Sequence, residues 1–175
     1  EPKCPQCSQS VQLSATDEKS IIHPSSIYGI TKQNQEQMVL VGCQISSIDS
    51  VALRYQNVYG PGQSLSNPYT GILSIFSTRI LNKNRINIFE DGLESRDFVY
   101  IDDVVSGTIL SIENKNTNGQ VYNIGSGEST AVIDVAKKLI YNYDIDVELC
   151  VSGSYRLGDI RHNYADLKKV SEIGF

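Results

Sequence analysis

The sequence has no long apolar run. No stretch approaches the ~20 consecutive apolar residues that a membrane-spanning helix needs, so we expect no membrane association. The basic start, apolar run and small-residue cleavage site of a secretory signal are also missing. A reducing cytoplasm is therefore the expected location, and structural disulfides among the four cysteines are not expected there.

A basic excess is absent as well. The formal net charge is -5, and no basic stripe is present, so we expect no nucleic-acid partner. A phosphorylated ligand stays compatible with this charge, because a few well-placed arginines suffice to bind phosphate. Proline and glycine are too few to indicate disorder.

The residues that are present predict a single α/β unit. At 175 residues and 40% apolar content, the chain is long enough to bury a core. The periodicity predicts helices at 28 to about 41, 71–81, 104–112, 131–141 and from 166 onward. It predicts strands at 49–55, 86–89, 96–101, 121–124 and 147–151, with a loop over 57–68. Strands that alternate with helices indicate the α/β class.

Tyr28 and Lys32 lie four residues apart at the start of the first predicted helix, with Ser25 or Ser26 available as its cap. This spacing places both side chains on one face. A phenol, with an ordinary pKa of about 10, is a weak base near neutral pH, and a nearby ammonium favours its deprotonated form. Such a pair can take a proton from a sugar hydroxyl while a hydride leaves the carbon. On spacing alone, an ordinary exposed helix pair is the better explanation.

Five motifs around and after this pair change that assessment. They are HPSSIYGITKQNQE at 23–36, RYQNVYGPG at 54–62, FEDG at 89–92 with RDFVYIDD at 96–103, YNIGSG at 122–127 and RLGD at 156–159. In content and order they resemble the extended short-chain dehydrogenase/reductase family of NAD-dependent nucleotide-sugar epimerases and dehydratases. The cysteine-containing segment before Tyr28 is similar to that of dTDP-L-rhamnose 4-epimerase-like members. The resemblance covers nearly the whole chain after residue 20.

The resemblance implies a role for each matching residue on the cofactor side. Tyr28 would be the catalytic acid/base, and Lys32 would hold the nicotinamide ribose of NAD and tune Tyr28. Tyr55 would lie beside the nicotinamide.

On the substrate side the resemblance implies contacts with a nucleotide-diphosphate sugar. Asn57 would contact the diphosphate, and Arg96 and Arg156 would clamp it from two loops, a role that suits guanidinium groups. Asp159 would help to place the nucleotide or Arg156. The loop at Thr70-Gly71-Ile72 would meet the sugar nucleotide.

Simpler explanations of the substrate residues stay open. Arg96 could form a surface ion pair with the adjacent Asp97, and Asn57 could be a turn residue. Asp159 could pair only with Arg161.

Two features of the family are missing from the sequence. The glycine-rich fingerprint that binds the dinucleotide is absent, and Gly60-Pro-Gly62 and Gly125-Ser-Gly127 have neither its spacing nor its strand–helix setting. The catalytic Ser or Thr upstream of the tyrosine is not identifiable. We interpret both ends as cuts in a longer chain, and expect these residues alone to bind NAD poorly, to be inactive and to be sticky or partly folded.

Cys4-Pro-Gln-Cys7 has half the spacing of a zinc knuckle. The other two ligands would have to precede residue 1, because Cys43 lies in a predicted helix and Cys150 in a predicted strand. A zinc site in the complete protein and a metal-free loop both stay open.

The expected activity is that of a nucleotide-sugar 4-epimerase, which uses NAD for transient oxidation at C4. The alternatives are a 4,6-dehydratase of the same family and a non-catalytic remnant that only binds sugar nucleotides. We expect residues 1–27 to be a cysteine-containing loop, 28–62 to belong to a Rossmann-type NAD-binding domain and 63–175 to form mainly a small α/β substrate-binding domain, with strands that can return to the Rossmann sheet. The complete protein is expected to form a homodimer.

Overall fold

The structure is a computed structural model that describes residues 3–65, 71–155 and 158–175. The helices of the described part are α1 (Ile27–Ile45), α2 (Ile72–Leu81), α3 (Ile101–Glu113), α4 (Val132–Tyr143) and α5 (Lys168–Ser171). The strands are β1 (Val51–Tyr55), β2 (Asn57–Tyr59), β3 (Ile86–Ile88), β4 (Ser95–Arg96), β5 (Phe98–Tyr100), β6 (Gln120–Ile124), β7 (Thr130–Ala131) and β8 (Leu149–Val151).

Most strand pairs are parallel. Strand β1 pairs with β6, β2 with β5 and β3 with β8, all in parallel, whereas β4 and β7 are antiparallel. Parallel strands need crossover connections, and helices provide them here. The predicted α/β class is therefore confirmed.

The buried apolar side chains form two separate clusters. The first joins α2, β3 and α4 around Phe76, Ile80, Ile86 and Val135. The second joins β5, α3, β6 and α5 around Val99, Val104, Ile124 and Val170. Strand β1 precedes the expected domain boundary at residue 62 and β6 follows it, and the two strands pair along residues 51–55 and 120–124. The division at residues 27 and 62 stays a prediction.

Helix α1 has the predicted start and continues beyond the predicted end. The Ser26 hydroxyl oxygen accepts a hydrogen bond from the Gly29 N–H at 3.1 Å, which caps the helix. None of its side chains is buried, and Ile27, Met38 and Ile45 are strongly exposed. Among the described helices, α1 included, none is long and apolar enough to cross a membrane.

Two strand predictions need correction. The sequence predicts a loop over 57–68, but Asn57–Tyr59 is β2, because its backbone pairs with β5. The predicted strand 96–101 is divided into β4 and β5 at Asp97, whose carboxylate is bound by N–H groups of other segments.

Two helix starts also differ. Helix α3 begins at Ile101 rather than residue 104, so that Asp102 and Asp103 occupy its first turn, where carboxylates complement the helix dipole. Ala131 belongs to β7 rather than to α4, because it pairs with Ser95 of β4.

Candidate active site

A groove between α1 and β1 contains the three residues that were assigned to the cofactor side. Tyr28, Lys32 and Tyr55 all line it. The ammonium nitrogen of Lys32 lies 5.5 Å from the centroid of the Tyr28 ring, so the two side chains share one face of α1. Tyr28 is 70% exposed, and the Tyr55 hydroxyl lies 2.9 Å from Oγ1 of Thr108 on α3. The groove therefore offers a phenol and an ammonium beside an apolar wall.

An ion pair fixes α1 against β1 beside this groove. Arg54 donates from Nε and Nη2 to the two carboxylate oxygens of Glu36, at 2.8 and 2.7 Å. These bonds raise the pKa of Arg54 above its usual value. Glu36 follows Lys32 by one helical turn, so the pair holds the face of α1 that carries Tyr28. Arg54 also donates to the carbonyl oxygen of Glu18 at 3.3 Å, which attaches the N-terminal loop.

A second cavity, of about 400 Å³, contains four of the residues that were assigned to the sugar nucleotide. Asn57, Ile72, Arg96 and Asp159 line it together. Gly71 caps the start of α2 directly before Ile72. Thr70 and Arg156 lie outside the described residues, so the expected convergence of Arg96 with Arg156 stays a prediction. The volume falls within the range of small-ligand sites, which is about 300–1,000 Å³.

Arg96 is oriented by three hydrogen bonds. Its Nη1 donates to the carbonyl oxygens of Ser95 and Arg161, each at 2.9 Å, and its Nη2 donates to Oδ1 of Asp159 at 2.9 Å. The alternative pair of Arg96 with Asp97 is therefore wrong. The alternative pair of Asp159 with Arg161 is also wrong, because Arg161 binds Glu90 and Asp91 instead.

Asp97 organises the loops behind the cavity. It is fully buried, and its carboxylate accepts hydrogen bonds from the N–H and hydroxyl of Ser126 at 2.7 Å and from the N–H groups of Gly127 and Ala165 at 3.1 Å. A Cβ at Gly125 would lie 2.5 Å from this carboxylate, so the turn needs glycine there. The carbonyl oxygen of Asp97 binds both the backbone N–H and the side-chain amide of Asn57. Asn57 is thus fixed in β2 rather than in a turn.

The segment that carries Asp159 touches the segment that precedes Tyr28. The Ser25 hydroxyl donates to the Gly158 carbonyl oxygen at 2.7 Å. Gly158 has a φ of +83°, and a Cβ there would lie 2.7 Å from the carbonyl oxygen of Ser25. This close approach brings the segment before Tyr28 of the groove next to the segment that carries Asp159 of the second cavity.

Sequence reasoning missed an acidic wall of the cavity, which Glu90 and Glu94 form and beside which Asp91 lies outside the lining. Arg161 binds Asp91 at 2.6 Å and also binds Glu90. The Arg161 guanidinium, together with the N–H of Leu93, holds the pKa of Asp91 below its ordinary value. Glu94 also lines the cavity, and burial raises its pKa. A run of acidic residues at 90, 91 and 94 is ordinary in a turn, so the sequence carried no signal of this wall.

Several other lining residues were missed for the same reason. In strands the side chains point to alternate faces, and in helices they are distributed around the axis. Only the fold therefore shows which of these residues face the cavity. These residues are Ile75, Phe76, Arg79, Asn87, Ile88, Phe89, Val132 and Tyr155.

Cys4 and Cys7 lie on a tight turn. The Cys4 carbonyl oxygen accepts the N–H of Ser8, and the Cys4 N–H donates to Gln9, both at 2.8 Å. Hydrogen bonds from the N–H groups of Cys7 and Gln6, and from the Cys7 side chain, hold the pKa of the Cys4 thiol below its ordinary value. All four cysteines are free thiols. Among the described residues, the cluster of three potential metal ligands is Glu90, Asp91 and Glu94, and it includes no cysteine.

Comparison with known proteins identifies related chains. Residues 5–125 match the model of the NAD dependent epimerase/dehydratase family. The chain is 40% identical over 146 residues to the dTDP-L-rhamnose 4-epimerase of Burkholderia thailandensis, covering 83% of this chain and 40% of that protein. It is 33% identical over 126 residues to the dTDP-D-glucose 4,6-dehydratase of Dictyostelium discoideum, covering 72% of this chain and 28% of that protein.

A solved structure agrees with these relatives. The UDP-glucose 4-epimerase of Thermotoga maritima, crystallised with UDP-glucose, superposes with a TM-score of 0.86 at 35% identity, over 95% of this chain and 53% of that chain. The chain therefore spans about half, or less, of the length of the relatives that it matches.

Proposed function

The chain belongs to the NAD dependent epimerase/dehydratase family, and from that premise we propose that it carries the proton-transfer residues and the nucleotide-sugar site of a 4-epimerase. The observation that carries the proposal is the shared groove of Tyr28, Lys32 and Tyr55. The hydrogen bond of Ser25 to Gly158 holds the segment before Tyr28 against the segment of Asp159, which lines a second cavity together with Arg96. The substrate class is a nucleotide-diphosphate sugar.

Tyr28 is the proposed acid/base. Its phenolate oxygen takes the proton of the sugar 4-hydroxyl and returns it to the same oxygen after the configuration at C4 has changed. The Lys32 ammonium lies 5.5 Å from the ring, where it stabilises the negative charge that develops on the Tyr28 oxygen during proton transfer. NAD, when bound, supplies the hydride acceptor and donor for C4. The groove fits its nicotinamide ribose, because Lys32 can donate to ribose hydroxyls while Tyr55 and the wall of β1 offer apolar contact.

Arg96 is the proposed diphosphate ligand within the second cavity. Guanidinium forks suit phosphate oxygens, and Asp159 holds this one in a single orientation. Asn57 lies at the same wall and is held by Asp97. The apolar residues at the start of α2, Ile72 among them, would face the nucleoside.

The test is turnover of dTDP- and UDP-hexoses by the complete protein with NAD, followed by mass spectrometry and NMR. Epimerisation changes the configuration at C4 and leaves the mass unchanged. Dehydration, the second candidate because a 4,6-dehydratase is among the relatives, removes one water. Binding without any turnover would identify a non-catalytic sugar-nucleotide protein and would contradict the proposal.

The proposed assembly is a homodimer that pairs through α1. The helix exposes Ile27, Met38 and Ile45, which are 81%, 73% and 80% exposed. Apolar surface of this kind is typical of interfaces between protein chains. Sedimentation of the protein and of Met38→Glu is the measurement, and a monomer at micromolar concentration would contradict the proposal.

The proposed location is the cytoplasm, where the four free thiols would stay reduced.

Cys4 and Cys7 are proposed to supply two of four ligands to a zinc ion in the complete protein. Backbone N–H groups directed at the Cys4 sulfur favour a thiolate, the form that binds zinc. Substitution by Co²⁺ would give a thiolate-to-metal absorption band that Cys4→Ser removes and that Cys43→Ser leaves unchanged. A protein without bound metal that keeps its activity would contradict the proposal.

A further inference from the structure

Glu94 buries a carboxylate of which one oxygen has no hydrogen-bond partner among residues 3–65, 71–155 and 158–175. The side chain is 8% exposed, and Oε2 is a buried side-chain atom without a hydrogen bond in the described part of the chain. Folded proteins pair nearly all such atoms, so an exception needs a physical reason. The side chain lines the cavity of Arg96, although Oε2 itself is shielded from solvent in this conformation.

Asp97, three residues away, shows how a structural carboxylate in this segment is satisfied. Both of its oxygens accept hydrogen bonds, from Ser126, Gly127 and Ala165. Among the described residues Glu94 has no comparable set: its carboxylate meets only its own backbone N–H, and its carbonyl oxygen accepts the N–H of Val132 at 2.9 Å. Its carboxylate therefore does not have the contacts that a purely structural role requires.

The neighbouring carboxylates do not explain Glu94 either. Ligand oxygens of Glu90, Asp91 and Glu94 lie within 4.8 Å of one another. The guanidinium of Arg161 already binds Glu90 and Asp91, so we assign no cation to this cluster. Burial and the charge of Glu90 raise the pKa of Glu94, which accords with a carboxylate that lacks compensation within the protein.

The charges of the cavity restrict what Glu94 can bind. Its charged lining residues within the described chain are the guanidiniums of Arg79 and Arg96 and the carboxylates of Glu90, Glu94 and Asp159. A phosphate beside Glu94 would be repelled, whereas a neutral N–H or O–H group would pair with Oε2. We propose that Glu94 is a specificity-determining residue whose carboxylate turns Oε2 into the cavity to accept a hydrogen bond from a neutral donor of the bound nucleoside, a ribose hydroxyl or a ring N–H, and that it is not a diphosphate contact.

The proposal rests on the proposed function, because it needs a nucleotide in this cavity. Calorimetry would measure binding of UDP and of dTDP, and would compare UDP with three analogues that each lack one donor: the 2′-hydroxyl, the 3′-hydroxyl or, by N3-methylation, the ring N–H. The proteins are the wild type, Glu94→Leu, Glu94→Gln and the control Glu148→Leu. Glu148 is exposed and does not line the cavity, so its substitution tests for loss of charge alone. Inorganic pyrophosphate is the probe for the diphosphate subsite.

The wild type should bind one analogue about tenfold more weakly than UDP, since a hydrogen bond to a charged acceptor is lost. Glu94→Leu should bind UDP and that analogue equally weakly, whereas Glu94→Gln, which keeps an acceptor oxygen, should retain most of the discrimination. Pyrophosphate binding should not weaken in either variant, and Glu148→Leu should match the wild type. Equal affinity of the wild type for all four nucleotides, or equal weakening of nucleotides and pyrophosphate in Glu94→Leu, would overturn the assignment. Absence of UDP and dTDP binding by the wild type would overturn the proposed function as well.

Discussion

Arg96 and Asp159 are separated by 63 residues and joined by a hydrogen-bonded ion pair of 2.9 Å at the cavity. The Arg96 side chain is 18% exposed and that of Asp159 is 50% exposed, so the arginine is the better shielded partner. Two carbonyl oxygens complete the contacts of Nη1, which leaves the guanidinium in one orientation. A group held in this way loses little conformational entropy when a phosphate binds.

Arg96→Ala should weaken nucleotide-diphosphate binding by about 1.5–3 kcal/mol, the range for a hydrogen bond to a charged group. Arg96→Lys should recover only part of this, because an ammonium cannot reproduce the planar fork. Isothermal titration with UDP is the measurement. Arg85→Ala removes an exposed arginine that does not line the cavity and serves as the control. Equal effects of Arg85→Ala and Arg96→Ala would indicate a general charge effect instead of a specific contact.

Asp97→Asn should lower the free energy of unfolding by about 2–4 kcal/mol. The amide would keep the shape of the carboxylate but would direct an N–H₂ group toward N–H donors, which leaves buried groups unpaired. Urea unfolding measures the change. Asp103→Asn alters an exposed carboxylate in the first turn of α3 and should cost less than about 1 kcal/mol. A loss no larger for Asp97→Asn than for Asp103→Asn would show that the loops do not depend on this carboxylate.

The elements with a strong local pattern were predictable, whereas the contacts between distant segments were not. Tyr28 and Lys32 share a face because helical geometry alone determines their relation. Strand β2 was not predicted, because Asn57 and Gly60 favour a turn locally. In the fold, backbone pairing with β5 makes the segment a strand instead. The partner of Arg96 was also missed, since nothing local to residue 96 or 159 indicates that the two segments meet. Glu94 looks like any turn carboxylate until its burial is known.

Glu94 should make stability fall with rising pH. Its pKa in the folded protein is raised from the ordinary 4.5, mainly by burial, so the folded state holds the proton more tightly than the unfolded state. The stabilisation from neutral Glu94 is therefore complete below pH 4.5 and is lost as the pH rises through the raised pKa. Glu94→Gln cannot ionise and should remove this slope. Urea unfolding of both proteins from about pH 4 to pH 8 is the measurement, and a difference between them that stays constant with pH would contradict the expectation.

In the complete protein, Tyr28→Phe should reduce turnover at least about a hundredfold while leaving nucleotide-sugar binding within about twofold, because it removes the proton acceptor and little contact area. The separation of kcat from binding is the informative result, since a variant that merely disturbs α1 would weaken both. Tyr141→Phe makes the same chemical change at a residue of α4 that is 84% exposed, and should behave as the wild type.

Lys32→Met complements this test of the groove. In the complete protein, removal of the ammonium takes away the charge that stabilises negative charge on the Tyr28 oxygen during proton transfer, and it removes the donor to the cofactor ribose, so both turnover and NAD affinity should fall. In the double variant Tyr28→Phe/Lys32→Met, turnover should fall no further than in Tyr28→Phe, because the charge acts on a phenolate that is no longer there. Near-normal turnover of Tyr28→Phe would rule out Tyr28 as the acid/base. Multiplied losses in the double variant would instead mean that Lys32 contributes to turnover independently of Tyr28.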